Sequence, residues 1–99
     1  MADPALKNKV VTAIKEPSLY KVIYLNDNVT SFEFIIETLV GIFDYDVETA
    51  NQIALDVHDH GSAVVAVLPY EMAEQKTAEV LVYAKANKYP LQTIIEPEA

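Results

Sequence analysis

The hydrophobic pattern of this chain changes period across one polar turn, and that change limits what its N-terminal half can become. Tyr20 to Leu25 is rich in aromatic and β-branched residues, which suit a pleated, half-buried strand. It runs into Asn26-Asp27-Asn28, whose short side chains bond to nearby backbone and favour turns. Beyond the turn, Phe32, Ile35, Ile36, Leu39 and Phe43 recur at helical spacing. Thr30 and Glu33 have the spacing of a capping box, with Val29 and Phe34 placed as the hydrophobic staple, so a helix is expected to open at Thr30.

A second amphipathic helix follows. Asp44-Tyr45-Asp46 interrupts the first and recaps, Val47, Ala50, Ile53, Ala54 and Val57 mark the new apolar face, and the helix should end near His60 with Gly61 as its cap. Ala63 to Leu68 is the continuous apolar run of a central strand. Pro69 can stop that strand and open a third helix, through about Lys88, that buries Ala73, Thr77, Val80, Leu81 and Ala84. Tyr89-Pro90 breaks it, and Leu91 to Ile95 supplies a last strand before an acidic tail. The order β-α-α-β-α-β predicts a two-layer α+β domain, a three-stranded antiparallel sheet covered by three helices. A βαβ repeat fits less well, because the first crossover carries two helices.

Residues 1–17 read as a flexible N-terminal arm and 18–99 as the core domain. The arm mixes Lys7, Lys9 and Lys15 with Leu6, Val10, Val11 and Ile14, and stops at Glu16-Pro17. Isolated helices this short are marginal in water, so a passive arm and a docking arm both stay open.

Composition narrows the function classes. At 99 residues there is material for one core, and 52% hydrophobic residues with two glycines place the chain far from disordered compositions. The absence of cysteine removes disulfides, thiolate metal sites and thiol nucleophiles, and suits a cytosolic protein. The N-terminus lacks an apolar signal core, and no window approaches the roughly 20 apolar residues of a membrane span. Seven basic against fifteen acidic residues give a formal net charge of -8, which repels phosphate backbones and anionic lipid, so neither nucleic acid nor membrane is an expected partner.

Two groups of residues could carry chemistry. Asn26, Asp27 and Asn28 end a strand directly before a helix, where carboxylate and amide oxygens can face a cation, although such a turn is often only a turn. Ala54, Val57 and His58 fall at i, i+3 and i+4, so they share a helix face, an apolar floor with one imidazole at its edge. A neutral imidazole accepts a hydrogen bond from an ammonium group; the plainer alternative is a half-buried histidine satisfied by backbone. Asp56, His58, Asp59 and His60 look like a metal cluster, but His58 and His60 are two apart and point to different sides of a helix. His58 with Asp27 could form an acid/base pair, yet no activated nucleophile or cofactor motif accompanies it. No metal, cofactor or catalytic residue is therefore assigned. Glu71, Glu74, Lys76 and Glu79 decorate the third helix as a solvated face or a charged docking surface.

From Pro17 to Glu96 the chain resembles the ClpS adaptors of the bacterial and plastid N-end rule pathway. The resemblance is carried by Pro17-Ser18-Leu19-Tyr20-Lys21-Val22, Leu25-Asn26-Asp27, Thr30, Glu33-Phe34 and Phe43. It continues through Ala50, Leu55, Val57-His58, Gly61, Glu71, Ala73-Glu74 with Lys76, and Pro90-Leu91. It implies that Asn26 and His58 hold a substrate's α-ammonium, with Asp27 and Asn28 supplying charge or acceptors around it. By the same resemblance Thr30, Phe32, Ile35, Ala54, Val57 and Leu91 line a side-chain pocket. Glu71, Glu74 and Lys76 would dock to the N-terminal domain of a ClpA or ClpC type unfoldase, and the arm before Pro17 would engage it during delivery. The implied location is cytoplasmic, or the plastid stroma in a plant or alga.

Ala54, Asn28 and Ser31, and in part Phe32, depart from the family's usual pattern. Ala54 stands where a pocket-closing methionine is typical, beside Phe32 where methionine is frequent. Asn28 replaces a commonly acidic residue, and Ser31 a proline. The leading alternative is an interaction module of the same topology with another client, such as a ribosomal stalk-like domain; a third class is a small acid/base enzyme using His58 and Asp27.

Overall fold

The computed structural model describes residues 18–98, so the N-terminal arm lies outside the described residues. Six elements follow in the expected order: β1 (Leu19–Leu25), α1 (Phe32–Gly41), α2 (Val47–His60), β2 (Ser62–Pro69), α3 (Tyr70–Ala86) and β3 (Gln92–Pro97). β1 is the middle strand of a sheet ordered β2-β1-β3 and pairs antiparallel with both neighbours. Its C-terminal residue Leu25 lies opposite Ser62 on one side and Gln92 on the other. The start of β3 therefore sits beside the end of β1, where the polar turn begins.

Alternation along β1 sends Val22 and Tyr24 into the core, with Phe34, Ile35, Leu39, Ala54, Val57 and Val80 among their buried companions. The pairing slips between Val22 and Ile23, leaving Val65 as an extra residue on β2. Val65 is buried at this bulge, and its carbonyl accepts a hydrogen bond from the Tyr45 hydroxyl at 2.6 Å. Deep in the core, the Tyr24 and Thr38 hydroxyls share a 2.7 Å hydrogen bond, and the Thr38 hydroxyl also lies 2.8 Å from the Ile35 carbonyl. Burial pushes the Tyr24 pKa far up against the opposing effect of Thr38, so the phenol stays neutral.

Three local expectations are corrected. The N-cap of α1 is Ser31, not Thr30: the Ser31 hydroxyl accepts from the Phe34 N–H at 3.1 Å. Asp27 has already engaged Thr30, so the capping role passes one residue on. No staple forms either, because Val29 is 61% exposed while Phe34 is buried against Tyr83 and Tyr89. On α3, Ala73, Thr77, Val80 and Ala84 are buried as expected, but Leu81 is 40% exposed. One residue beyond Val80 is about 100° around the helix, which carries Leu81 off the core face.

The Thr93 hydroxyl is buried without a hydrogen-bond partner among the described residues. Replacing it by the isosteric methyl removes the cost of an unmet polar group. Thr93→Val should leave stability unchanged or raise it by up to about 1 kcal/mol in urea denaturation; a clear loss would show that the hydroxyl has a partner in solution.

Candidate functional site

The end of β1 and the C-terminal half of α2 meet through one backbone hydrogen bond, from the Asn26 N–H to the Gly61 carbonyl at 2.9 Å. Gly61 closes α2 in the left-handed conformation, at φ 85, and its own N–H bonds to the Val57 carbonyl. The cap that ends α2 thus also holds the polar turn beside His58.

Asp27 builds that turn. One of its carboxylate oxygens accepts from the Val29 and Thr30 N–H groups at 2.7 and 2.6 Å, and the other from the Thr30 hydroxyl at 2.7 Å. Partial burial works to raise its pKa, but the bonds from Thr30 and Val29 outweigh it and the carboxyl lies below its ordinary value. These three donors occupy the charge that the sequence had offered to a ligand, so Asp27 acts first as the brace of the turn. Asn26, Asn28 and His58 are exposed, and their side chains make no hydrogen bond to a described residue.

A cavity of about 310 Å³ opens between the turn and the two helices, lined by Asn26, Asp27, Asn28, Thr30, Phe32, Ile35, Ala54, Val57 and His58. Its rim is polar and its wall is apolar, with Ile35, Ala54 and Val57 buried. The structure therefore brings together every residue singled out for the turn and the pocket except Leu91. Leu91 is 3% exposed and packs in the core without lining the cavity.

Two other groupings resolve differently. The His60 ring bonds back to the Asp56 carbonyl of its own helix at 3.1 Å, and among the described residues no group of three or more His, Cys, Asp or Glu could hold a metal ion. On α3, Glu71, Glu74, Gln75 and Ala78 share one helix face around a shallow surface groove. Tyr70 donates to Glu74 at 3.0 Å and packs edge-on against Tyr20, which holds this face to β1. Lys76 is half-buried and lies outside the groove. Among the described residues, no helix is long and apolar enough to cross a membrane.

A family model described as "ATP-dependent Clp protease adaptor protein ClpS" matches residues 15–94. The chain belongs to the ClpS family. ClpS adaptors of Citrobacter koseri and Escherichia fergusonii are each 46% identical over 94 residues, covering 95% of this chain and 89% of the relative. Among solved structures, Agrobacterium tumefaciens ClpS2 bound to L-phenylalaninamide superimposes with a TM-score of 0.80 at 37% identity, covering 84% of this chain and all of the other. ClpS is a family of adaptors of the Clp protease rather than of proteases, and the open α+β sheet described above agrees with membership.

Proposed function

We propose that this chain, without catalytic activity of its own, captures proteins by a free, bulky hydrophobic N-terminal residue and delivers them to an AAA+ unfoldase of the ClpA or ClpC type for degradation. Phe, Tyr, Trp and Leu are the expected residues, and the cytoplasm, or a plastid stroma, the place of action. The observation that carries the reading is the cavity itself. Asn26, Asn28 and His58 offer acceptors free of described partners at the rim of a wall made by Phe32, Ile35, Ala54 and Val57. An ammonium group needs acceptors, and the side chain next to it needs a dry, shaped wall. L-phenylalaninamide, the ligand named for the Agrobacterium relative, is a free amine bearing a benzyl group and combines the same two requirements.

In this reading Asn26 and His58 accept from the α-ammonium, Asn28 adds an acceptor without charge, and Asp27 contributes negative potential while holding the turn. Burying a Phe or Leu side chain is worth about 2 kcal/mol, and hydrogen bonds to a charged group add about 1.5–3 kcal/mol each, so affinity in about the micromolar range is expected. Glu71 and Glu74, with Lys76 beside their face, form the docking surface for the unfoldase.

The test is fluorescence anisotropy with labelled peptides beginning with Phe, Leu, Ile, Val or Ala, and an N-acetylated Phe control. Saturable binding of free Phe and Leu that acetylation abolishes is the expected result; no binding to any free N-terminus would favour the interaction module with another client. The same panel reads Ala54, which is buried behind the cavity and leaves room that a longer side chain would fill. Ile and Val N-termini should be accepted by this chain and excluded about tenfold or more by Ala54→Met, within the usual range for a small change in an apolar pocket. Equal exclusion by both proteins would sink the point.

A further inference from the structure

A second cavity of about 240 Å³ opens on the other side of the polar turn. Leu25, Asn26, Asp27, Pro90 and Gln92 line it, and its exposed surface is mostly apolar. Asn26 and Asp27 are shared with the larger cavity, while the remaining linings have no residue in common. The two hollows thus flank the same two residues. The second exists because Gln92 pairs with Leu25, which brings the Tyr89-Pro90 break next to the end of β1.

We infer that this groove receives the side chain of the second residue of a bound peptide, and that it prefers an apolar side chain of moderate size there. The inference rests on the proposed capture of a free N-terminus in the larger cavity. An extended chain points successive side chains in opposite directions, with Cα atoms 3.8 Å apart. With the first side chain turned towards Ile35 and Val57 and its ammonium on Asn26, the second turns away across the Asn26-Asp27 ridge. Leu25 and Pro90 give it apolar surface to cover, and Gln92 closes the far side. Asp27 lines both hollows, and its negative charge works against an acidic second residue by like-charge repulsion.

Peptides Phe-Leu, Phe-Gly and Phe-Asp, followed by one common sequence, test it by anisotropy with the full chain and with Gln92→Trp, whose indole fills the groove, and Leu25→Ala, which shortens its wall. For the unaltered chain the Phe-Leu peptide is expected to bind about fivefold tighter than Phe-Gly, the scale of a partly buried Leu side chain. The Phe-Leu to Phe-Gly ratio should fall towards one in Gln92→Trp and shrink in Leu25→Ala. Binding of all three peptides with equal affinity overturns the groove and leaves the N-terminal pocket standing. A Leu preference that survives both variants overturns it as well, by placing the second side chain elsewhere. Failure of all three peptides to bind overturns the pocket reading and the groove with it.

Discussion

Asn26→Ala should weaken binding of a Phe-initiated peptide by about thirtyfold while the protein stays folded. A hydrogen bond to a charged group contributes about 1.5–3 kcal/mol, and about 2 kcal/mol corresponds to that factor. The substitution spares the structure because the bond that joins the turn to α2 comes from the Asn26 backbone N–H, which alanine keeps. His58→Ala, on an exposed side chain, should cost a similar factor. In the proposed binding mode the two residues address the same ammonium, so they form a natural thermodynamic cycle with the peptide's N-terminus: an acetylated peptide should bind the variant and the unaltered chain equally weakly. If Asn26→Ala weakened the acetylated peptide as much as the free one, the residue would be shaping the pocket rather than reading the ammonium.

The second large effect is expected at Asp27. Asp27→Ala removes the acceptor of three hydrogen bonds at once and leaves Val29 and Thr30 to find water. Because the turn lies at the surface, water recovers part of the loss, and a stability decrease of about 2 kcal/mol is expected. For a domain of this size that is a Tm lower by roughly 10 °C. Peptide affinity should fall more than tenfold, since Asn26, Asn28 and Thr30 all sit on the turn that Asp27 braces. The same carboxylate gives a pH dependence whose sign is fixed by its depressed pKa. Its stabilising bonds are fully present above the ordinary carboxyl range, about pH 4, and fade as pH falls through the lower folded value. Denaturation at pH 3 to 7 should therefore show a smaller acid loss in Asp27→Asn than in the unaltered chain. Identical acid limbs, or an Asp27→Ala protein with full stability, would mean that the turn holds itself.

Much of this architecture is legible in the residues because local signals agree with the tertiary ones. The aromatic and β-branched run before Asn26, the helical spacing after it, Gly61 and Pro69 each mark a boundary that the structure keeps within one or two residues. The misplacements have a common cause, which is competition between partners that a linear pattern does not rank. Thr30 matches a capping box, but Asp27 claims it first. Leu81 is apolar and adjacent to Val80, yet helix geometry admits only one of them to the core. Leu91 belongs to the right region and faces the core rather than the cavity. The groove at Leu25, Pro90 and Gln92 has no local signature, because it is created by strand register between residues far apart in the chain.

The backbone link between Asn26 and Gly61 separates two properties that a pocket made only of side chains would confound. The spacing between the rim and α2 is set by main-chain atoms, so it survives exchange of the wall residues. Positions such as Phe32 and Ala54 are then free to drift without dismantling the rim proposed to hold a terminal amine. A lineage can retune which side chains it accepts through single substitutions, each intermediate remaining a working receptor. Ancestral and descendant adaptors of this architecture should accordingly differ in diet before they differ in the chemistry of the grip.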